Sequence, residues 1–205
     1  MVESQIMKRG IRDSRLLEAM RAIPRHLFIP LHQRDRAYDD CPLPIGYNQT
    51  ISQPYIVALM TQHLQLTGSE KVLELGTGSG YQAAILCELA ERVITIERIP
   101  KLAERAEAAL SGLGYRNVQI IVGDGTVGYP DEAPYDRVLI TAATPNIPQP
   151  VVEQLSEGGI VVAPVGKQFE QELLKGIKRA GGLDKTYLGG CRFVKLVGKY
   201  GFRDN

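Results

Sequence analysis

The most informative stretch of the sequence reads Val72-Leu73-Glu74-Leu75-Gly76-Thr77-Gly78-Ser79-Gly80. A short, mostly apolar run ends there in glycines at alternate positions, and the helix-forming sequence YQAAILCELA follows at once. In sheets of parallel strands, ligands bind beyond the carboxyl ends of the strands, so this turn is expected beside a ligand. A helix start that needs glycines for its shape alone is the alternative, and the strand-turn-helix context favours the ligand site.

Short apolar runs alternate with helical stretches in the rest of the chain. KVLELG, RVITIE, VQIIV and YDRVLITAA predict strands, and YQAAILCELA and PKLAERAEAALSGLG predict helices between them. PQPVVEQLS predicts a short helix, and GGIVVAPVG, ELLKGIKRA and CRFVKLVG predict three more strands. The predicted fold class is α/β: a Rossmann-like, mostly parallel twisted sheet with helices on both faces and an antiparallel C-terminal edge.

The region before the first of these strands has a different pattern. Apolar residues at helical spacing predict a helix over residues 13–23, with Asp13 or Ser14 as its cap. Prolines predict a long irregular segment from Pro24 to Asn48. A second helix is predicted from about Pro54 to Leu66.

Length and composition indicate one globular domain. The chain has 205 residues, 44% hydrophobic and 23% charged, which excludes a disordered protein. We expect a single domain over residues 1–205, with a helical and irregular extension at about 1–66 and a cofactor-binding core at about 67–205. Lys and Arg number 24 and Asp and Glu 23, so no excess charge attracts nucleic acid or an anionic membrane.

The cysteines and the N-terminal residues favour the cytoplasm. Cys41, Cys87 and Cys191 are far apart and form no Cys-x-x-Cys pair, which favours a reducing compartment. MVESQIMKRG lacks the apolar stretch of a signal peptide, and no apolar run is long enough to cross a membrane. We expect a cytoplasmic monomer with no metal, no nucleic-acid partner and no membrane partner.

Two ligands compete for the glycine-rich turn. A nicotinamide-binding loop reads Gly-x-Gly-x-x-Gly and faces a pyrophosphate, whereas here Tyr81 stands at that third position and the extra glycine is Gly80. Glu74 stands two residues before the first glycine. Its negative charge would repel a pyrophosphate and attract the ammonium and sulfonium groups of S-adenosyl-L-methionine. The turn therefore favours S-adenosyl-L-methionine over NAD.

Two further carboxylates follow the next predicted strands. Glu97 ends RVITIE, where an acidic side chain can accept hydrogen bonds from both ribose hydroxyls; a solvated strand end is the alternative. Asp124 stands in Gly123-Asp124-Gly125 after VQIIV and can accept from an adenine amino group; a plain Asp-Gly turn is the alternative. The shared sheet edge favours one crevice for all of them. The candidate cofactor-binding residues are Glu74, Gly76, Thr77, Gly78, Ser79, Glu97, Asp124 and Gly125.

The fourth predicted strand ends in Thr141-Ala142-Ala143-Thr144-Pro145. A methyl acceptor is expected there, and the segment has neither a carboxylate nor the Asn-Pro-Pro-aromatic motif associated with methylation of amino groups. Amines and hydroxyls need a base to take their proton, whereas a carboxylic acid with a pKa of about 4 is ionised at pH 7. The neutral lining favours a carboxylate acceptor, with Ala142 and Ala143 as candidate substrate-binding residues.

Several segments resemble, in order, those of protein-L-isoaspartate O-methyltransferases. They are Leu43-Pro44-Ile45-Gly46, Gln49-Thr50-Ile51-Ser52-Gln53-Pro54, VLELGTGSGYQAA, VITIER, GDG, EGGIVVAPVG and RFVKLVG. The glycine-rich turn marks only the methyltransferase superfamily, and the Gln-Thr-Ile-Ser-x-Pro segment is far more specific. The resemblance implies an S-adenosylmethionine-dependent methyltransferase fold and transfer of the methyl group to the α-carboxylate of L-isoaspartyl residues in damaged proteins, with S-adenosyl-L-homocysteine as product. The ester then leaves through a succinimide, which returns some normal aspartate.

The resemblance also implies roles for Thr50, Ile51 and Ser52. They correspond to the family's segment beside the transferring methyl group, with Ser52 as its active-site serine, whose hydroxyl can orient the acceptor carboxylate. The alternative is that Ser52 caps the helix that begins near Pro54. Lys195 stands where the family often has proline, which leaves contacts of that strand with the substrate main chain open.

The sequence leaves three other functions open. An NAD-dependent oxidoreductase would use the same strand, turn and helix, and Tyr81 argues against it. A non-catalytic nucleoside-binding module would keep the pocket, and the complete Gln-Thr-Ile-Ser segment argues against it. An RNA methyltransferase would favour a basic surface, which the charge balance does not provide.

Overall fold

The N-terminal region begins with short helical turns and one regular helix. The computed structural model describes residues 1–204. Helix α1 covers Ser14–Ala22, and the carboxylate of Asp13 accepts a hydrogen bond of 3.1 Å from the N–H of Leu16. Asp13, one of the two predicted candidates, is therefore the N-cap. The short turns before and after α1 are Val2–Ile6, Met7–Arg9, Arg25–Phe28 and Leu31–Arg36.

The sequence predicted an irregular segment from Pro24 to Asn48, and this prediction is wrong for part of the segment. Strands β1 (Leu43–Gly46) and β2 (Gln49–Ile51) pair antiparallel in a small hairpin. Tyr47 and Asn48 form its turn with φ angles of 53° and 55°. The sequence analysis missed this hairpin because of its prolines. Proline is confined to edge positions in sheets, so it argues against a strand when only the sequence is known.

Helix α2 covers Pro54–Leu64. Proline is tolerated in its first turn because the missing N–H would have no partner within the helix. The helix ends two residues before the predicted end because Gln65 adopts a left-handed conformation with φ of 55°. Gln53 is the N-cap residue, and no side chain forms a capping hydrogen bond.

The rest of the chain forms a seven-stranded sheet with its connecting helices. The strands are β3 (Lys71–Leu75), β4 (Arg92–Glu97), β5 (Val118–Val122), β6 (Tyr135–Ile140), β7 (Leu155–Lys167), β8 (Glu170–Arg179) and β9 (Gly182–Cys191). The helices are α3 (Tyr81–Leu89), α4 (Pro100–Gly112) and α5 (Gln149–Gln154), with short turns at Gly125–Val127 and Pro130–Glu132. The strand order is β5-β4-β3-β6-β7-β8-β9. β3 to β7 are parallel and the last two strands antiparallel, which confirms the predicted sheet.

The last strand is β9, and not the CRFVKLVG segment that the sequence predicted. β9 is exposed along most of its length, so it lacks the apolar run by which strands are recognised. In CRFVKLVG, Lys195 forms only an isolated bridge with Ala143. The segment is apolar because it packs against the sheet, where Leu196 is buried.

The parallel strands carry a core on each face of the sheet. Successive side chains of a strand point to opposite faces. Val72 packs with residues of α1, α2, α3 and α4 on one face, whereas Leu73 packs with Val151 of α5 on the other. Helices therefore lie on both faces, as predicted. Within residues 1–204, no helix is both long enough and apolar enough to cross a membrane.

Candidate active site

A cleft, here called the central cleft, opens at the carboxyl ends of β3, β4 and β6. The space between its lining residues amounts to about 500 Å³ when the open solvent at its mouth is included. Its lining residues are Gln49, Thr50, Ile51, Ser52, Val57, Gly76, Thr77, Gly78, Ser79, Tyr81, Gln82, Glu97, Thr141, Ala142 and Val194. The structure thus brings most of the predicted site residues together. Those that do not line this cleft are Glu74, Asp124, Gly125 and Ala143.

The glycine-rich turn follows β3 directly and is packed tightly against its neighbours. The N–H of Gly76 donates to the carbonyl of Ile96 at 2.8 Å. Gly76 has a φ of 99°, and a Cβ there would lie 2.6 Å from Thr141 Oγ1. Gly80 has a φ of 87°, and its Cβ would lie 3.1 Å from the Cβ of Ala106 on α4. Only glycine therefore fits at these two positions.

The carboxylate of Glu97 is 6% exposed and is held by two backbone N–H groups. Oε2 accepts from Gly78 at 2.8 Å, and Oε1 accepts from Ile99 at 2.9 Å. An ionised carboxylate has about four acceptor positions, so both oxygens can accept further hydrogen bonds. Burial excludes a solvated strand end. The arrangement fits the two hydroxyls of a ribose.

Glu74 lies behind the wall of the central cleft, and the prediction that its charge faces the cofactor is wrong. The side chain is fully buried. Thr95 donates its hydroxyl to Glu74 Oε2 at 2.6 Å and lies 2.6 Å from the hydroxyl of Thr77, which lines the cleft. Burial raises the pKa of Glu74 to about 8 despite the Thr95 hydrogen bond, and Glu97 raises it further. The group is therefore mostly protonated at pH 7.

A smaller opening, here called the side cleft, adjoins the central cleft. Its lining residues are Gln49, Gly76, Ile96, Glu97, Arg98, Ile99, Gly125, Ala142, Lys195, Leu196 and Val197. Because Glu97 lines both openings, the side cleft extends the site from Glu97 toward the end of β5. Gly125 lies in the wall of this extension.

Asp124 does not line either cleft, and the predicted contact with adenine is not supported. Oδ1 accepts from the N–H of Thr126 at 2.8 Å and from its hydroxyl at 2.7 Å. Oδ2 accepts from the N–H of Lys199 at 2.8 Å. Burial by itself raises the pKa of Asp124, but these hydrogen bonds outweigh it and lower the pKa below its ordinary value. The carboxylate thus anchors the C-terminal segment.

A third opening, here called the outer groove, meets the central cleft at Ser52. Its lining residues are Arg9, Pro42, Thr50, Ser52, Gln53, Tyr55, Ile56, Leu59, Thr141, Leu188, Gly190, Cys191, Arg192, Phe193 and Val194. Thr50, Ser52 and Thr141 line both openings. Since Gln53 is the N-cap of α2 and no side chain caps that helix, the reading of Ser52 as a helix cap is wrong.

Of the two predicted alanines, only Ala142 lines the central cleft. Ala143 is fully buried, and its backbone is used in pairing: its N–H donates to Val194 and its carbonyl accepts from Leu196, both at 2.7 Å. The prediction of Ala143 as a substrate contact is therefore wrong. Lys195 lies between Val194 and Leu196, and backbone atoms of these two neighbours form its bridge to Ala143. The bridge therefore does not depend on the Lys195 side chain.

Sequence reasoning missed several residues of the central cleft. Gln49 stands in the specific Gln-Thr-Ile-Ser segment, which was a usable signal. Tyr81 and Gln82 begin α3 directly after the glycine-rich turn, so their place at a helix start beside a ligand was also a signal. Thr141 directly follows β6, and nothing in the sequence distinguished it from the alanines that come next.

The fold and site together define an S-adenosylmethionine-dependent methyltransferase. A mostly parallel sheet carries a glycine-rich turn after β3 and a ribose-type carboxylate at the end of β4. The sequence profile of the protein-L-isoaspartate(D-aspartate) O-methyltransferase (PCMT) family matches residues 1–201. The chain belongs to this family.

Relatives of known sequence match over nearly the whole chain. Protein-L-isoaspartate O-methyltransferase 1 of Syntrophobacter fumaroxidans is 60% identical over 202 residues, which are 98% of this chain and 94% of that protein. The protein-L-isoaspartate O-methyltransferase of Methanoculleus marisnigri is 55% identical over 203 residues, which are 99% of this chain and 92% of that protein.

Solved structures share the fold. A protein-L-isoaspartate O-methyltransferase superposes with a TM-score of 0.85 at 30% identity, over 95% of this chain and 64% of that one, so this chain spans slightly less than two thirds of its length. A PCMT structure from Plasmodium falciparum in complex with S-adenosyl-L-homocysteine gives a TM-score of 0.80 at 23% identity, over 93% and 94% of the two chains. At that identity, the second likeness supports the fold alone.

Proposed function

We propose that the central cleft holds S-adenosyl-L-methionine and the outer groove holds the polypeptide that is methylated. The chain is an S-adenosylmethionine-dependent protein-L-isoaspartate O-methyltransferase: it methylates the α-carboxylate of L-isoaspartyl residues in damaged proteins and so initiates their repair. The observation that carries the assignment of the two openings is that Thr50, Ser52 and Thr141 line both of them. Cofactor and acceptor can meet only at such a junction.

The cofactor is held by Glu97 and by the turn at Gly76–Ser79. Glu97 accepts hydrogen bonds from the ribose hydroxyls, because Gly78 and Ile99 already fix its orientation and leave lone pairs free. Gly125 lines the space for the base. When bound, S-adenosyl-L-methionine supplies a methyl group on a positively charged sulfur, which is electrophilic without help from the protein.

The acceptor needs orientation rather than a base. A carboxylic acid is already ionised at pH 7, and Glu97 is the one carboxylate among the described residues that line the central cleft. Ser52 is the catalytic residue of this proposal: its hydroxyl donates to the acceptor carboxylate, and Thr50, Ile51 and Ala142 form the neutral wall around it. Holding two reactants in line can lower a barrier by ~7–11 kcal/mol.

We propose a cytoplasmic location, which is supported by the free thiols of Cys41, Cys87 and Cys191, since disulfides are rare in that compartment. From the sequence alone we predict a single domain with a division near residue 67. We also predict a monomer without a nucleic-acid partner.

Calorimetric titration of the protein with S-adenosyl-L-homocysteine and with NAD tests the assignment of the central cleft. We expect S-adenosyl-L-homocysteine to bind and NAD to give no heat, and we expect Glu97→Ala to weaken the first titration. Binding of NAD alone would support an oxidoreductase. Binding of S-adenosyl-L-homocysteine without methylation of any isoaspartyl peptide would support a non-catalytic nucleoside-binding module.

A further inference from the structure

Arg25 is the largest side chain that the fold buries completely. Arginine is almost never fully buried unless a carboxylate pairs with it. Within residues 1–204, no carboxylate lies within ion-pair distance of Arg25. A structural arginine would be expected to have such a partner, so this charge calls for another explanation.

The guanidinium of Arg25 joins three parts of the chain that are distant in sequence. Nε donates to the carbonyl of Ala37 at 2.8 Å, and Nη2 donates to the carbonyl of Ser52 at 2.8 Å. The guanidinium carbon lies 4.7 Å from the ring centre of Tyr81 at the start of α3. Ser52 and Tyr81 both line the central cleft, so Arg25 holds two parts of its wall from behind.

The contacts leave the charge of Arg25 without an anionic partner. Nη1 and the hydroxyl of Tyr81 are both buried without a partner at ordinary hydrogen-bond distance. The two side chains still interact: burial raises the pKa of Tyr81 to about 12 even though the Arg25 charge lowers it, so Tyr81 supplies no anion. Burial lowers the pKa of Arg25 from its ordinary value, yet a guanidinium stays protonated in proteins. A positive charge in a medium of low polarity attracts an anion more strongly than the same charge in water. Arg25 lines none of the three openings, so an anion beside Ser52 would balance this charge across the wall without touching the guanidinium.

We propose that Arg25 is a positioning residue of the methyl-transfer reaction. It fixes the backbone of Ser52 and the ring of Tyr81, and its unpaired charge favours an anionic carboxylate over a neutral group at the junction of the two openings. This inference rests on the proposed function, because it takes that junction as the place of the acceptor.

Two substitutions at Arg25 separate the hydrogen bonds from the charge. Arg25→Met removes both, whereas Arg25→Lys cannot reach two carbonyls as a guanidinium does and keeps a charge only at mildly acidic pH, because burial lowers the pKa of an ammonium group. Arg137→Met is the matched control: Arg137 is largely buried, its Nε donates to the carbonyl of Leu64 at 2.6 Å, and it lines none of the three openings. Each variant is tested for kcat and KM with an isoaspartyl peptide and for S-adenosyl-L-homocysteine affinity. Competition with the matching peptide that carries a neutral α-carboxamide measures the preference for the anion.

We expect the wild-type protein to bind the carboxylate peptide about tenfold more tightly than the carboxamide. Arg25→Met loses this preference at every pH. Arg25→Lys lowers kcat about tenfold and keeps the preference only at mildly acidic pH, where a buried ammonium group retains its proton. All variants keep S-adenosyl-L-homocysteine affinity within about twofold. Arg137→Met lowers thermal stability and leaves the preference and kcat/KM unchanged.

The proposal is overturned if Arg25→Met keeps the preference, or if it and Arg137→Met lower kcat/KM by the same factor. If Arg25→Met does not fold, Arg25→Lys gives the result, and wild-type kcat in that variant contradicts the proposal. An inactive wild-type protein would instead overturn the proposed function, so the two failures are distinguishable.

Discussion

The N–H of Gly78 donates to Glu97 Oε2 at 2.8 Å, which joins the glycine-rich turn after β3 to the carboxyl end of β4. The turn therefore does more than make room for a ligand, because its backbone orients the carboxylate that we propose as the ribose-binding group. Conversely, Glu97 satisfies a backbone donor of the turn. The two halves of the cofactor site depend on each other through this bond.

Glu97→Gln should weaken S-adenosyl-L-homocysteine binding by roughly 10–100-fold, since hydrogen bonds to a charged group contribute ~1.5–3 kcal/mol. The glutamine amide also has only one oxygen, whereas Glu97 accepts hydrogen bonds from Gly78 and Ile99 with both of its carboxylate oxygens. Titration calorimetry measures the change, and Glu91→Gln at an exposed position is the control. Equal affinity in the Glu97 variant and the wild type would remove Glu97 from the site.

Ser52→Ala should lower kcat by roughly 10–100-fold while S-adenosyl-L-homocysteine affinity changes little, because its hydroxyl orients the acceptor and not the cofactor. The free energy of unfolding should stay within about 0.5 kcal/mol of the wild type, whereas loss of a helix cap costs ~0.5–2 kcal/mol. Steady-state kinetics and denaturant unfolding give the two numbers, with Ser156→Ala on β7 as control. Full activity together with lower stability would return Ser52 to a capping role.

Asp124→Asn should lower the free energy of unfolding at pH 7 by about 1–3 kcal/mol, because the N–H of Lys199 then loses its charged acceptor. The folded-state pKa of Asp124 lies below its ordinary value of 3.8. Its contribution is therefore complete above that ordinary value and is lost as the pH falls through the lower, folded-state pKa.

The difference between wild type and Asp124→Asn should accordingly shrink in denaturant titrations below about pH 4. Asp184→Asn, at an exposed position of β9, is the control. A variant that keeps wild-type stability but binds S-adenosyl-L-homocysteine much more weakly would show that Asp124 contacts the cofactor after all.

Glu74→Gln should remove a pH dependence of stability. The folded-state pKa of Glu74 is raised from 4.5 to about 8 by burial. Between these values the folded protein keeps a proton that the unfolded chain has released, so wild-type stability falls as the pH rises, by about 1.4 kcal/mol per unit for a complete effect. Glutamine cannot ionise, and the variant should not show this fall.

Denaturant unfolding between pH 5 and pH 9 tests the Glu74 prediction, with Glu107→Gln on the exposed side of α4 as control. Stability curves of the wild type and Glu74→Gln that run parallel over this range would mean that Glu74 is ionised in the folded protein. Its negative charge would then lie behind the wall of the central cleft, close to the initial prediction.

Local patterns made it predictable that Gly76 and Glu97 lie together at one edge of the sheet. The strand before Gly76 and the strand that ends at Glu97 are apolar runs buried on both sides, and such runs are recognisable in sequence. The carboxyl ends of parallel strands share one edge of the sheet, so the placement of both features followed from the pattern alone.

The remaining features depend on contacts between distant segments. The acceptors on Asp124 are used by Lys199, which lies 75 residues later. The exposed strand β9 carries no apolar alternation, because only β8 pairs with it at the sheet edge. Arg25 has the hydropathy of a surface residue, and only the folded chain brings the carbonyls of Ala37 and Ser52 to it.

The most direct test of the account is methylation of paired peptides that differ only in an isoaspartyl or an aspartyl linkage. The wild-type protein is supplied with S-adenosyl-L-methionine that carries a labelled methyl group, and the label on each peptide is measured before and after mild base. We expect base-labile label on the isoaspartyl peptide alone. The account predicts transfer of the methyl group to an isoaspartyl α-carboxylate that lies beside Ser52. It would be contradicted by equal label on both peptides, by no label on either, or by label that resists base.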